Sequence, residues 1–198
     1  MFPTLLWNVQ IKAELHQVMD AKILTLLATM RRELPALARG QGWQSRPALQ
    51  QSEELGGLVT CVANAGRSVL RVWNIGANDI EITGCWANVL AAGAAHKVHS
   101  HPNNFLSGVY YLQVQPGADT VNFHDPRSQT GIISPPVTAL TAENTDQVVV
   151  SLRNGTLLLF PSYLQHSVDA NTSDRERISI SFNLMFTSFT QNMSKPLW

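Results

Sequence analysis

Two histidines separated by a single residue, His99 and His101, are the first side chains of this sequence whose type and spacing could do chemistry. On a β-strand, alternate side chains point to the same face, so the two imidazoles would be presented together. Imidazole is a common protein ligand for iron, zinc, copper and nickel. The pair therefore predicts part of a metal site, with two neighbouring surface histidines as the alternative.

A third histidine, His166, follows a strongly apolar run. Residues 156–160 read Thr-Leu-Leu-Leu-Phe, and Pro161 then bends the chain five residues before the histidine. This pattern is typical of a buried strand that delivers a side chain just beyond its end, where the side chain could face the interior of a barrel. The pattern predicts that His166 joins the pair at 99 and 101.

Eleven residues after His166, polar and apolar side chains alternate sharply. Arg177, Ser179, Ser181 and Asn183 share one face of the expected strand. That face could simply be solvated. It could also line a cavity in which the planar guanidinium pairs with a carboxylate through two hydrogen bonds. The strand by itself leaves both interpretations open.

The elements that must position these residues change character along the chain. Apolar residues recur at three- and four-residue steps over 15–34 and again over 55–70, where the apolar stripe is interrupted near Gly66. From Asp79 onwards the period is two. Further strands are expected at 106–114, 120–124, 147–152, 156–160 and 177–186. Helices followed by many short strands predict an antiparallel sandwich or barrel with helices on one face.

The strand that begins near residue 79 is expected to place Ile80, Ile82, Trp86 and Asn88 on one face. The segment 128–144, by contrast, shows no clear period. Long irregular connections often lie beside a binding site, so this segment predicts a loop near the site.

Bulk composition limits the class of protein. The 198 residues are 44% hydrophobic and 14% charged, which is typical of a globular chain. Fourteen basic and fourteen acidic residues cancel, which argues against general binding to nucleic acid or to an anionic membrane. No apolar run reaches the roughly 20 residues of a membrane span. Only two cysteines occur and the N-terminus lacks a signal-peptide pattern, so we expect a cytoplasmic protein.

No internal repeat, low-complexity stretch or linker divides the chain. We therefore expect one domain over 1–198, built from a helical support region (1–78), a β core (79–186) and a tail (187–198). The sequence does not determine the oligomeric state, and a homodimer stays open.

The order of the motifs resembles a known family. His99-x-His101 is followed by Ser-Gly-Val-Tyr-Tyr-Leu at 107–112, by Leu-Phe-Pro-x4-His at 159–166, and by Arg-x-Ser-x-Ser-Phe-Asn at 177–183. This series resembles the double-stranded β-helix oxygenases that use iron(II) and 2-oxoglutarate, in a branch near the prolyl hydroxylases. The resemblance covers residues 85–186 and implies a mainly β, jelly-roll or cupin-like barrel behind N-terminal helices.

The resemblance implies that His99 and His166 are iron ligands. In such oxygenases an acidic residue stands two positions after the first histidine, whereas here His101 fills that position. Three neutral imidazoles would leave the same three coordination sites free on iron(II) but remove one negative charge. They could also hold zinc tetrahedrally together with a water molecule. Asp125 is the alternative source of a carboxylate ligand.

The resemblance further implies that Arg177 pairs with the distal carboxylate of 2-oxoglutarate, with Tyr111 and Ser179 beside it. Arg175 is the rival for this role, but Arg177 begins the alternating strand. The expected reaction converts 2-oxoglutarate and O2 to succinate and CO2 while a C–H bond of a prime substrate is hydroxylated. That substrate could be a small molecule or a peptide or protein side chain.

Residues near the predicted ligands are candidates for the substrate pocket, namely Trp86, Asn88, Asn103, Asn104 and Arg127. The remaining histidines are expected in the pocket or on the surface (His96, His124) and on the surface of a helix (His16). Two other functions stay open. One is a cupin-type enzyme with three histidine ligands and no 2-oxoglutarate, and the other is a non-catalytic β-sandwich that binds a partner.

Overall fold

The computed structural model describes residues 3–76, 79–127, 135–141 and 144–191. The α-helices are α1 (Ala13–Arg31), α2 (Gly56–Val72) and α3 (Thr187–Thr190). The strands are β1 (Trp7–Gln10), β2 (Gly42–Gln44), β3 (Ile80–Leu90), β4 (His96–His99), β5 (Leu106–Gln113), β6 (Thr120–His124), β7 (Gln147–Ser151), β8 (Thr156–Pro161), β9 (His166–Val168) and β10 (Arg177–Phe186). Two short 3-10 helices, Leu49–Gln51 and Glu53–Leu55, precede α2.

The described strands form two antiparallel sheets. The larger has the order β1-β8-β5-β10-β3-β2, and the smaller has the order β4-β9-β6-β7. From β3 to β10 the chain passes between the sheets at almost every connection, which is the jelly-roll arrangement. The protein is therefore mainly β, as the sequence pattern predicts, and forms the double-stranded β-helix that the family resemblance implies.

Strand β10 separates two environments. Its apolar face, which includes Ile180 and Phe182, packs with α1 and α2 in a buried cluster. On the opposite face, Ser179 pairs with Tyr111 of β5 and with Asn88 of β3. Because paired residues project to the same side of a sheet, the polar face looks into the barrel rather than into solvent. The register thus favours a polar face that lines a cavity over one that is solvated.

A second apolar cluster lies between the two sheets. Val121 and Phe123 of the smaller sheet pack against Leu158 and Phe160 of the larger, with Tyr111 beside them. These side chains fill one end of the barrel. The polar face of β10 is therefore next to a dry, close-packed wall.

Helix α1 uses a narrower face than its apolar pattern predicts. Met19, Ile23 and Leu27 are buried in a single row at four-residue steps, whereas Leu15 and Val18 are 51% and 58% exposed. Only one row of a helix meets a flat sheet closely, so apolar residues beside that row stay in solvent.

Helix α2 is continuous through Gly66, the position at which its apolar stripe is interrupted. The glycine marks a close approach to the sheet. A Cβ at this position would lie 3.0 Å from Leu184 Cδ1 on β10. A residue without a side chain lets the helix pack directly on the sheet.

The predicted face of β3 is also wrong. The register between β3 and β10 shifts at a bulge. Ile80 and Ile82 consequently pack toward the helices, whereas Trp86 and Asn88 face the barrel interior. An extra residue at a bulge reverses the side-chain direction beyond it, and strict alternation cannot anticipate this.

The predicted loop at 128–144 lies partly outside the described residues. Its described residues, 135–141 and 144, lie in neither helix nor strand and are exposed. In the predicted tail, residues 187–191 are described and include α3. Among the helices that the structure describes, none is both long and apolar enough to cross a membrane.

Candidate metal centre and co-substrate site

Strand pairing brings His99 and His166 together. His99 ends β4, His166 begins β9, and the two residues are direct partners in the smaller sheet. His101 follows β4 in a turn, where its backbone N–H donates to the Ser162 carbonyl at 2.9 Å. That hydrogen bond joins the turn after β4 to the segment that leads into β9. Three imidazoles from two distant parts of the sequence therefore converge.

The three rings form a compact triangle. Their centroids are 4.3 Å apart for His99 and His166, 5.1 Å for His99 and His101, and 5.2 Å for His101 and His166. One nitrogen of each ring lies within 4.8 Å of one nitrogen of the other two. This is the spacing at which three side chains can share one metal ion.

Backbone carbonyls fix the tautomers of two of these rings. Nδ1 of His99 lies 2.7 Å from the Lys97 carbonyl, and Nδ1 of His166 lies 3.0 Å from the Leu164 carbonyl. A carbonyl oxygen only accepts, so each Nδ1 carries the hydrogen and each Nε2 keeps a lone pair. This is the usual orienting contact of a metal-binding histidine.

Burial keeps two of the imidazoles neutral. Burial, with a smaller contribution from the neighbouring His99, lowers the pKa of His101 to about 4 and that of His166 to about 3. The rings of Phe160 and Phe123, with centroids 4.8 and 6.0 Å from that of His166, form the apolar wall around it. At neutral pH these nitrogens can therefore act as ligands without first losing a proton.

Asp125 is not part of this group. Its carboxylate accepts from the Arg127 backbone N–H at 2.9 Å and pairs with the Arg127 guanidinium, with Oδ2 to Nη2 at 2.5 Å. The residue thus caps a local turn, and the Arg127 guanidinium holds its pKa below the usual range. The donor set that the described residues offer consists of three imidazoles, which fits iron(II) as well as zinc.

Arg177 lies buried at the start of β10, only 3% exposed. Its Nε donates to the Ala118 carbonyl at 3.0 Å and its Nη2 to the Thr120 carbonyl at 3.1 Å. Its guanidinium carbon is 5.2 Å from the centroid of the Tyr111 ring. A guanidinium has five N–H groups, so the two bonds to the backbone fix its plane and leave donors for a carboxylate.

Tyr111 complements this arginine. Burial raises the pKa of its hydroxyl to about 12, although the nearby Arg177 lowers that pKa. The hydroxyl therefore stays protonated and can donate. Ser179, two residues after the arginine, is also buried on the same face. Arg175, the rival from the sequence, is exposed to solvent.

A cavity of about 380 Å³ opens beside the histidines. His99, His101, Trp86, Asn88 and Ser181 lie on its wall. The Asn88 amide donates to the Ser181 hydroxyl at 2.9 Å, and the Trp86 ring lies 5.8 Å from that of His101. Two of the predicted pocket residues are thus in place, and Ser181 comes from the polar face of β10.

Three further wall residues are Gln44, His96 and Lys97. Gln44 reaches the cavity because β2 pairs with β3 and sets it opposite Asn88. No local pattern around residue 44 could have indicated this, since the contact arises from pairing across more than forty residues. Gln44, Asn88 and His96 also border a neighbouring cavity of about 210 Å³.

The other candidates lie apart from the cavity wall. Asn103 is exposed in a turn with a positive φ of 62°. The Asn104 side chain closes that same turn by donating to the Pro102 carbonyl at 3.0 Å. His124 contacts the Ser167 hydroxyl at 2.9 Å.

His16, the remaining histidine, lies on α1. Its Nδ1 is 2.9 Å from Oδ2 of Asp20. The other carboxylate oxygen of Asp20, Oδ1, accepts from the Tyr110 hydroxyl at 2.6 Å. These contacts join the helix to β5 on the side of the sheet away from the metal centre. The imidazole of His16 is therefore part of the packing between helix and sheet.

Comparisons with known proteins agree with this geometry. The family model for 2OG-Fe(II) oxygenases matches residues 84–183, just over half of the 198-residue chain. No curated protein sequence matches the chain. The matched region contains all three histidines and the buried arginine.

Several solved structures are similar. The epimerase SnoN, in complex with Fe3+, α-ketoglutarate and nogalamycin RO, has a TM-score of 0.65 at 15% identity, over 92% of this chain and 79% of that one. A prolyl-4-hydroxylase from Pseudomonas putida has a TM-score of 0.59 at 18% identity, over 92% of this chain and 93% of that one. A prolyl hydroxylase in complex with a hypoxia inducible factor peptide, from Trichoplax adhaerens, has a TM-score of 0.63 at 14% identity, over 96% of this chain and 87% of that one.

At such low identity these structures show a shared fold, whereas the family match extends over the catalytic core itself. Its agreement with the barrel and with the grouped histidines favours an oxygenase that uses 2-oxoglutarate over the cupin-type enzyme without 2-oxoglutarate and over the binding module. The chain belongs to the 2OG-Fe(II) oxygenases, enzymes that use iron(II) and 2-oxoglutarate.

Proposed function

We propose that this protein is a dioxygenase that hydroxylates a prime substrate, with His99, His101 and His166 as the iron ligands and Arg177 as the partner of the 2-oxoglutarate carboxylate. One observation carries the proposal. A group of three imidazoles and a buried arginine with further donors lie on strands whose polar faces look into the same barrel. A metal and a dicarboxylate need these two sets of groups at opposite ends of one pocket.

Iron(II) and 2-oxoglutarate, when bound, supply the oxidation, in which 2-oxoglutarate and O2 give succinate, CO2 and a hydroxylated product. The protein holds the metal-binding nitrogens and the co-substrate partners in position. Bonds from His99 to Lys97 and from His166 to Leu164 hold the ligand nitrogens in one orientation before any metal binds. Ligands that need no rearrangement bind with less loss of conformational entropy.

Arg177 and Tyr111 would hold the distal carboxylate. The guanidinium is already fixed by two backbone carbonyls, so its remaining donors point in set directions. An unpaired cation in a buried site is costly, which favours occupation by a dianionic co-substrate. Tyr111 belongs to a buried apolar cluster with Val121 and Leu158, which would limit the access of water to this end.

The prime substrate would enter through the cavity lined by Trp86, Asn88 and Ser181. Its volume of about 380 Å³ is within the usual range of small-molecule sites. Among the structural relatives, SnoN is in complex with nogalamycin RO and the Trichoplax enzyme with a peptide. We therefore propose a small molecule, or a side chain presented by a peptide or protein, as the prime substrate.

The decisive experiment is an anaerobic titration of the iron(II)-loaded protein with 2-oxoglutarate, followed by visible absorption. A metal-to-ligand charge-transfer band is expected in the wild type. The band should require much more 2-oxoglutarate in Arg177→Ala, because the buried carboxylate loses its charged partner. Arg175→Ala, which removes an exposed guanidinium two residues earlier, is the matched control and should titrate like the wild type.

Other outcomes would contradict the proposal in distinct ways. Iron that binds without giving the band would favour a three-histidine enzyme that does not use 2-oxoglutarate at this site. A band that survives equally in both arginine variants would remove Arg177 from the co-substrate site. Failure to bind iron would reject the three histidines as ligands.

A further inference from the structure

An ion pair ties the end of α1 to the residue before Arg177. Arg31 lies in the last turn of the helix, and its Nη1 and Nη2 donate to the two carboxylate oxygens of Glu176 at 2.8 and 2.7 Å. Glu176 directly precedes β10. A contact with two parallel hydrogen bonds fixes both the distance and the relative angle of its partners.

Further contacts hold both members of this pair. The guanidinium carbon of Arg31 lies 5.7 Å from the centroid of the Trp43 ring on β2. The backbone carbonyl of Glu176 accepts from the Gln113 amide of β5 at 2.7 Å. Glu176 is thus held through its side chain by α1 and through its backbone by the central strand of the sheet.

The preceding residue is held in the same way. The Arg175 carbonyl accepts from the amides of Asn171 and Gln115 at 2.7 and 3.1 Å. The backbone carbonyls of the two residues before β10 are therefore both held by side-chain amides. Beyond them the Arg177 side chain turns inward to its contacts at the start of β6.

We propose that Arg31 and Glu176 are positioning residues for the 2-oxoglutarate site. The inference rests on the proposed role of Arg177. Arg177 directly follows Glu176, so a shift of the backbone at 176 would displace its guanidinium from the Ala118 and Thr120 carbonyls and change where its remaining donors point. Because the contact with α1 fixes that backbone, the Arg177 guanidinium has fewer alternative positions before 2-oxoglutarate binds, and binding costs less ordering. The N-terminal helix thereby contributes to affinity without touching the ligand.

The partial exposure of the pair limits the size of the effect. The side chains of Arg31 and Glu176 are 19% and 34% exposed, so solvent screens their attraction. We expect a loss of about fivefold in 2-oxoglutarate affinity when the pair is broken.

The test is a calorimetric titration of iron(II)-loaded protein with 2-oxoglutarate under anaerobic conditions. Arg31→Ala and Glu176→Gln should each raise the Kd for 2-oxoglutarate by about fivefold while leaving the Kd for iron(II) unchanged. Arg71→Ala is the matched control, since Arg71 occupies the last turn of α2 as Arg31 does in α1, and it should bind 2-oxoglutarate like the wild type.

A double variant separates positioning from general stability. Arg31→Ala/Glu176→Gln should bind 2-oxoglutarate no more weakly than either single variant, because the two groups act as one unit. Arg31→Lys, which keeps the charge but loses the paired geometry, should lie between Arg31→Ala and the wild type. A lower unfolding temperature with an unchanged Kd would overturn the inference, since it would show a purely structural role.

Failure of this inference is distinguishable from failure of the proposed function. If Arg177→Ala abolishes 2-oxoglutarate binding while the Arg31 and Glu176 variants bind normally, only the positioning role is rejected. If Arg177→Ala itself binds normally, the assignment of the co-substrate site is rejected, and the positioning role is rejected with it.

Discussion

At the scale of single residues, His101 is the main departure from the chemistry that the sequence resemblance implies. An imidazole in place of a carboxylate leaves the donor set neutral, with three nitrogens and no acid among the grouped side chains. His101→Ala should lower iron(II) affinity by at least about tenfold, because it removes one of the three proposed ligands. Competition with a chromophoric chelator would measure this loss.

Two companion variants sharpen that prediction. His101→Asp restores an acidic ligand and should retain both iron and the charge-transfer band with 2-oxoglutarate. Asp125→Asn should leave iron affinity unchanged, since that carboxylate is engaged by Arg127. A large loss of iron in Asp125→Asn, with normal binding in His101→Ala, would reverse the ligand assignment.

Tyr111 offers a second prediction at this scale. Its hydroxyl is buried beside Arg177 and stays protonated at neutral pH. Tyr111→Phe removes one proposed donor to the co-substrate carboxylate and should weaken 2-oxoglutarate binding roughly tenfold. The anaerobic titration used for Arg177→Ala measures it. Tyr163→Phe, which changes an exposed tyrosine, is the control, and equal affinities of the two variants would contradict a role for the Tyr111 hydroxyl.

At the scale of elements, the close packing of β5 depends on Gly108. A Cβ there would lie 2.6 Å from Phe182 Cε2, and still closer to Cζ of that ring and to the Leu158 carbonyl. Gly108→Ala should therefore lower the free energy of unfolding by about 1–3 kcal/mol, as overpacked cores do. Chemical denaturation would measure the change.

Gly56→Ala is the matched control for that experiment. It adds the same methyl group at the start of α2, where nothing lies within 4 Å of the new atom. Its stability should equal or exceed that of the wild type, because alanine favours a helix. An equally stable Gly108→Ala variant would mean that β5 and β8 can move apart at no cost.

The elements also show how far the sequence could lead. The strand at 177–186 and its polar face were predictable, because alternation over seven residues reports a strand with two unlike sides. Alternation also placed His99 on a strand, whereas His101 follows the end of β4 and His166 begins a separate short strand. The bulge in β3 was not predictable, since a single extra residue leaves no mark on composition. Gln44 could not be placed at the site either, because its contact depends on which strand β2 pairs with.

At the scale of the whole molecule, the barrel holds neutral histidines in a place suited to a cation, and this couples stability to pH. Burial lowers the pKa of His166 to about 3, whereas the unfolded value is about 6.5. Between these values the unfolded chain binds the proton and the folded, metal-free chain does not. Stability is therefore fully present above about pH 6.5 and is lost as the pH falls below it.

The metal-free protein should accordingly lose unfolding free energy as the pH is lowered from 7 to 5, by up to about 1.4 kcal/mol per pH unit for this histidine. Denaturant unfolding in the presence of a chelator measures the slope. His166→Gln should reduce it, because the variant lacks the group that titrates only when unfolded. Zinc-loaded protein should be more stable at pH 7, since the ion binds the folded state alone. A slope that is the same in His166→Gln and in the wild type would show that this imidazole is already accessible to protons in the folded barrel, contrary to its 4% exposure.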